Sequence, residues 1–212
     1  GKERVKSVER PVQLDQREIG VGIDSQDPSG SGKSTLLLIA GGMMRPSSGT
    51  VSHNGEDLYS LSPAERTVWR RKHVGFVFQQ IHLLPYLNVR DNIRLSAGKI
   101  SKSELNRWLS QLELADRATH RPAELSVGEQ QRVALIRAII GKPALLMADE
   151  PISHLDPESA GLVVEALDAY RTDGGAVMMV THHEVVGTER GPRSATLLTM
   201  KDGELLESEP VA

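Results

Sequence analysis

Apolar residues recur at helical spacing in two stretches of the chain. Leu105, Trp108, Leu109 and Leu112 follow Ser101, and Val163, Ala166, Leu167 and Tyr170 follow Pro157, both at i, i+3, i+4, i+7. Each stretch predicts an amphipathic helix with one buried stripe. Residues 144–148 and 176–180 are instead continuous apolar runs, bounded by Lys142-Pro143 and by Asp173-Gly174-Gly175. Such runs suit strands covered on both faces of a parallel sheet. Their alternation with helices predicts an α/β architecture. Helix starts are marked by Ser62-Pro63 with Glu65, Ser101 with Glu104, Ser126 with Glu129, and Asp156-Pro157. The segment from about 81 to 125 is helical in pattern with polar turns and predicts a small helical insertion. Residues 195–200 and 204–206 flank Lys201-Asp202-Gly203, the pattern of a β-hairpin. Neither an internal repeat nor a low-complexity stretch is present.

A chain of 212 residues supports one substantial core, or one core with an inserted subdomain. The formal charge of -3 leaves no surplus of Lys and Arg for a nucleic-acid backbone or an anionic membrane surface, so no nucleic-acid partner is expected. The absence of cysteine excludes a disulfide framework, a thiolate zinc site and a cysteine nucleophile, and fits a reducing cytosol. The first residues are charged and lack the apolar segment of a secretory signal. The uncharged run 35–44 falls well short of the roughly 18 apolar residues of a membrane span. Any membrane role requires another chain to cross the bilayer.

Three segments carry chemistry. Asp27-Pro28-Ser29-Gly30-Ser31-Gly32-Lys33-Ser34-Thr35 matches the phosphate-loop pattern GxxxxGK[ST] at every fixed position but the first, where Asp27 stands. Gly30 and Gly32 let backbone N–H groups turn toward phosphate oxygens, and the following helix presents its positive end. Lys33 reaches the β- and γ-oxygens and Ser34 can ligate Mg²⁺. The strand ending in Asp149-Glu150 supplies two acids on alternating faces. Asp149 suits the Mg²⁺ hydration shell, and Glu150 suits polarisation of an attacking water. The third segment begins at Ser126, with Gly128 at the second helical position and Glu129 reaching back, and opens a helix with exposed N–H donors. A terminus of this kind favours anions by about 0.3–1 kcal/mol. With one helix terminus already committed to the phosphates, the second suits a nucleotide held by another subunit.

With these residues in hand, the chain resembles the nucleotide-binding subunit of ATP-binding cassette (ABC) transporters over almost its whole length. Leu125-Ser126-Val127-Gly128-Glu129 is similar to the LSGGE signature, with valine for its first glycine. Residues 75–80, ending in Gln79-Gln80, resemble the Q-loop, Ser153-His154-Leu155-Asp156 the D-loop, and Val180-Thr181-His182 the switch histidine. Residues 75–85 and 120–126 are most similar to the lipoprotein-release and macrolide-export group.

The resemblance implies a P-loop NTPase (RecA-like) fold, with a mostly parallel sheet, an antiparallel β portion and an inserted helical subdomain. It implies a single ABC ATPase domain over 1–212, with a nucleotide-binding core at 1–80 and 137–212 and a helical subdomain at about 81–136. ATP and Mg²⁺ are the implied cofactors. Two copies would bind head to tail, each ATP lying between Ser29, Gly30, Ser31, Gly32, Lys33, Ser34 and Thr35 of one chain and Ser126 with Gly128 of the other. Ser34, Gln79 and Asp149 would hold the metal. Glu150, His182 and Gln79 would serve catalysis, and Asp156 would link the two sites. A transmembrane permease would dock beside the Q-loop, at about 82–88, holding the chain at the cytoplasmic face of the inner membrane.

The pattern departs from the family in four places. The first aromatic residue is Tyr59, whereas the family sets an aromatic ahead of the phosphate loop to stack on adenine. Either the chain is truncated at its start or apolar residues such as Val5, Val8 or Val12 hold the base. Asp24-Ser25-Gln26-Asp27 places four polar residues where a buried apolar strand is expected. Asp27 also sets a carboxylate near the triphosphate, which predicts weakened ATP affinity. Together these departures leave open a second reading, a nucleotide-binding regulatory module with impaired hydrolysis. Val127 is milder, since Ser126 and Gly128 remain, and His183 reads as a surface histidine.

Overall fold

The computed structural model describes residues 20–24, 32–96, 100–153, 155–181, 195–201, 204–206 and 210–211. Expectations for Val5, Val8, Val12, Asp27, Ser29, Gly30, Ser31, His154, His182 and His183 lie outside the described residues.

Five strands run parallel: β4 (Val74–Val77), β5 (Leu145–Asp149), β6 (Ala176–Val180), β1 (Gly20–Asp24) and β7 (Ala195–Lys201), in that spatial order. β8 (Glu204–Leu206) and β9 (Pro210–Val211) extend the sheet antiparallel to β7. The hairpin expected across 201–203 is present, with Lys201 opposite Glu204. A separate two-stranded ribbon joins β2 (Ser52–His53) and β3 (Glu56–Asp57). The apolar runs fall where expected: β6 matches its run, and the 144–148 run becomes β5 shifted by one residue. Leu146, Met147 and Ala148 have no solvent exposure, as a strand covered on both faces requires.

Helix α1 (Lys33–Ala40) lies on β5 and β6, where Leu37 packs with Leu145, Met147, Met178 and Val180. Helix α2 (Pro63–His73) begins with the expected capping box between Ser62 and Glu65. Helices α3 (Val89–Arg94), α4 (Lys102–Gln111) and α5 (Val127–Ile139) follow, joined by 3-10 turns at Ala115–Arg117 and Pro122–Glu124. Ser101 caps α4 through its hydroxyl, and Asp156 caps α6 (Pro157–Thr172). Both amphipathic stripes are buried: Leu105, Trp108, Leu109 and Leu112 on α4, and Val163, Ala166, Leu167 and Tyr170 on α6. Each such side chain withdrawn from water contributes roughly 1.5–3 kcal/mol. One continuous core joins these helices to Val77, Leu146 and Ala148 of the sheet. α5 runs unbroken through residue 136 and so carries the helical region directly onto the sheet.

The approach of α5 to β4 is close. A Cβ on Gly75 would lie 2.3 Å from the carbonyl oxygen of Ala138, so no larger residue fits there without shifting backbone. The strand leading to Gln79 is thereby pressed onto the last turn of α5.

Candidate active site

Ligands of open parallel sheets bind at the carboxyl ends of the strands. Among the described residues, most of the expected site residues collect at that edge. α1 opens there, after Gly32 takes φ 90°, a left-handed backbone that favours glycine. Leu36 N–H donates to the Gly32 carbonyl at 2.9 Å as the first intrahelical bond. The amides of Ser34 and Thr35 precede that bond and have no partner within the helix. Lys33 is buried at 6 % exposure, while Ser34 is exposed.

Register brings the acids and the glutamine together. β4 and β5 pair Val77 with Ala148, so two residues onward Gln79 comes alongside Glu150. The Gln79 side-chain Nε2 donates to Glu150 Oε2 at 3.3 Å. β5 pairs Asp149 with Val180 of β6, and the Glu150 N–H still donates to the Val180 carbonyl at 2.9 Å. His182, two residues beyond Val180, lies outside the described residues.

Strand alternation is expected to separate the roles of Asp149 and Glu150, but the structure separates them more sharply. Asp149 is the last residue of β5, whereas Glu150 has φ 48°, in the left-handed region. A glutamate held there costs on the order of 1–2 kcal/mol. Ser153 stabilises the turn, its N–H and hydroxyl both donating to the Glu150 carbonyl at 3.4 and 3.2 Å. Backbone strain of this sort persists where surrounding structure over-determines it, commonly at reactive centres.

Ser126, Gly128 and Asp156 form a second group at the start of α6. Ser126 Oγ accepts from the Glu129 N–H at 3.1 Å, and Glu129 Oε2 accepts from the Ser126 N–H at 2.7 Å, completing the expected capping box. Arg117 Nε donates to the other Glu129 oxygen at 2.8 Å. Burial alone would raise the Glu129 pKa, but the hydrogen bonds from Ser126 and Arg117 outweigh it and hold the carboxyl below its usual value. Helix geometry leaves the N–H groups of Val127 and Gly128 without intrahelical partners. Val127, in the place of a signature glycine, is 57 % exposed. A Cβ on Gly128 would stand 3.2 Å from Ser159 Oγ. Asp156 Oδ1 accepts from the Ser159 N–H at 2.9 Å, and that bond holds its carboxyl below the ordinary carboxylate range. Buried Arg132 donates to Ser159 Oγ at 2.9 Å, so Ser159 joins the signature helix to the D-loop.

Sequence reasoning missed three side chains that hold this geometry. Arg132 is one. Asn92, with no exposure, accepts from the Leu84 N–H at 2.8 Å and donates to the carbonyls of Leu84, Leu87 and Asn88 at 3.1, 3.0 and 3.1 Å. It staples the loop that leaves Tyr86 67 % exposed. Arg137 donates to the carbonyls of His82 and Ile81 at 2.7 and 3.1 Å. A signal for Arg137 existed: it is the one charge in the run Val133-Ala134-Leu135-Ile136-Arg137-Ala138-Ile139-Ile140. Among the described residues, no helix is long and apolar enough to cross a membrane.

Comparison with known proteins places the chain in a family. The model of the ABC transporter family matches residues 28–153. The lipoprotein-releasing system ATP-binding protein LolD of Maricaulis maris (strain MCS10) is 42% identical over 191 residues, covering 86% of this chain and 81% of that protein. The macrolide export ATP-binding/permease protein MacB of Rhodopseudomonas palustris (strain HaA2) is 39% identical over 181 residues, covering 82% of this chain and 27% of that longer protein. Among solved structures, the ATP-binding cassette MJ0796, as a dimer in a post-hydrolysis state bound to ADP and Pi, superposes with a TM-score of 0.80 at 34% identity, covering 95% of this chain and 88% of that one. The chain belongs to the ABC transporter family, in its LolD/MacB group, as an ATP-binding and ATP-hydrolysing subunit.

Proposed function

We propose that this chain hydrolyses ATP as half of a symmetrical pair, and that closure of the pair on ATP drives a membrane permease in lipoprotein release or efflux. The contact between Gln79 and Glu150 carries the reading, because it sets an amide and a carboxylate together at the strand ends where α1 presents its amides. In this reading Ser29, Gly30, Ser31, Gly32, Lys33, Ser34 and Thr35 hold the phosphates. Ser126 and Gly128 of a second copy close over the same ATP, with Asp156 beside them. The dimeric MJ0796 structure supports the pairing by similarity.

Glu150 takes a proton from the attacking water as the water oxygen bonds to the γ-phosphorus. The bond from that phosphorus to the bridging oxygen breaks, and ADP leaves with the electron pair. Gln79 orients the water through the carboxylate it touches, and His182 supports the γ-phosphate. The hydroxyl of Ser34, the carboxylate of Asp149 and the amide oxygen of Gln79 form an all-oxygen donor set, which suits Mg²⁺. Bound there, Mg²⁺ would supply charge neutralisation for the phosphates.

Residues 81–136 act as the helical subdomain against a core of 1–80 and 137–212, and the loop at 82–88 docks the permease, which holds the chain at the cytoplasmic face of the membrane. The reading is tested by Glu150→Gln. Loss of phosphate release together with a persistent ATP-bound dimer, read by size-exclusion chromatography, supports it; undiminished phosphate release overturns it.

A further inference from the structure

We infer that Arg137 is a positioning residue for hydrolysis, its guanidinium fastening the chain just beyond Gln79 to the signature helix so that Gln79 is held against Glu150.

Arg137 is half-buried, so its guanidinium gives up part of its water and needs acceptors, and burial lowers its pKa from the ordinary value. The side chains three and four positions from it along α5, Val133, Ala134 and Ile140, are apolar and offer none. Two acceptors come from outside: the consecutive carbonyls of Ile81 and His82, at 3.1 and 2.7 Å. His82 has φ 47°, a left-handed conformation that costs a histidine about 1 kcal/mol or more. The fork from Arg137 and the edge contact of the His82 ring with Phe78 offset it. Ser96 Oγ donates to the Arg137 carbonyl at 2.5 Å, tying the same turn of α5 to the end of α3.

The consequence for the site is geometric. Gln79 lies past the end of β4, where sheet pairing no longer holds it, and is exposed. Its contact with Glu150 at 3.3 Å therefore depends on what holds the next few residues. Arg137 holds them at Ile81 and His82, and Asn92 holds them at Leu84, Leu87 and Asn88. Arg137 belongs to the helix whose first turn carries Ser126 and Gly128. A displacement of the 81–88 loop is thus passed at once to the signature end and to the Gln79–Glu150 pair.

The inference rests on the catalytic reading of Gln79, and its test separates the two. Steady-state phosphate release and ATP dissociation constants are measured for the full chain as Arg137→Ala, Arg137→Lys, Gln79→Ala and Gln79→Ala/Arg137→Ala. Arg137→Ala is expected to lower kcat about tenfold with little change in ATP affinity, because a small misplacement of a reacting group costs that much or more. In the double variant the two losses do not multiply, kcat remaining near that of Gln79→Ala alone, since both substitutions remove one effect. Millimolar guanidinium should restore turnover to Arg137→Ala and leave Gln79→Ala unchanged. If Arg137→Ala fails to fold, Arg137→Lys, which keeps the charge and reaches a single carbonyl, is expected to fold and show intermediate kcat. Losses that multiply in the double variant, or a kcat of Arg137→Lys equal to that of the parent chain, overturn the inference. A Gln79→Ala variant with full turnover would instead overturn the role assigned to Gln79.

Discussion

Gln79 donates its side-chain amide to Glu150 across 71 residues of sequence, and the bond exists because β4 and β5 are parallel neighbours in a register that brings both to the same sheet edge. Glu150 meets it from a left-handed backbone, one residue past the end of its strand.

Replacing Glu150 by Gln keeps the shape of the side chain and removes the base. Turnover should fall by at least about a hundredfold, the usual contribution of a positioned general base. Phosphate-release kinetics check this, with circular dichroism to show that the fold persists.

Gly128→Ala places a methyl group 3.2 Å from Ser159 Oγ, and Ser159 cannot retreat freely because Arg132 is bonded to it. The chain should lose about 1 kcal/mol of stability through overpacking. ATP-dependent pairing should weaken as well, since making room for the methyl group against Ser159 shifts the first turn of α5, which Ser126 caps. Urea denaturation and size-exclusion chromatography with ATP read the two effects.

Asn92→Ala takes its partner from the Leu84 N–H and from the Leu87 carbonyl, while the carbonyls of Leu84 and Asn88 keep the backbone N–H groups of Leu87 and Asn92. A loss of about 2 kcal/mol is expected, as for buried polar groups left unpaired. Hydrogen exchange should rise in the 84–88 amides ahead of those of β5, and mass spectrometry of exchanged peptides measures it.

Glu129 has a folded pKa below its unfolded value of about 4.5. A depressed carboxylate stabilises the fold fully above the unfolded value and loses that contribution as pH falls through the folded value. Melting temperature should therefore drop on acidification below about pH 4.5, and the drop should shrink in Glu129→Gln, whose amide cannot titrate. Thermal melts of both chains across that range provide the check.

Asp27→Gly restores the first glycine of the phosphate-loop pattern and removes a carboxylate from beside the triphosphate. ATP should bind more tightly, by about fivefold if the lost repulsion is about 1 kcal/mol. Equal dissociation constants for the two chains would show that Asp27 turns its charge away.

Local features were legible in the sequence because they depend on contacts a few residues apart. The capping boxes at Ser62 and Ser126, the cap at Asp156, the buried stripes of α4 and α6, and the unbroken apolar strand β6 all occur where the pattern places them. Motif spacing identified Lys33, Ser126, Asp149 and Glu150 as residues of interest, and the family resemblance added Gln79. Only tertiary structure decided which of them meet. Strand order and register set Gln79 beside Glu150 and sent Gly128 to Ser159 at the start of α6. The left-handed turn at Glu150 has no local cue such as glycine, because it is held by Ser153 and by the carbonyl of Val180 on the next strand. Arg137 and Asn92 likewise acquire their roles from carbonyls on other segments, and a backbone carbonyl carries no residue identity that a sequence pattern could reveal.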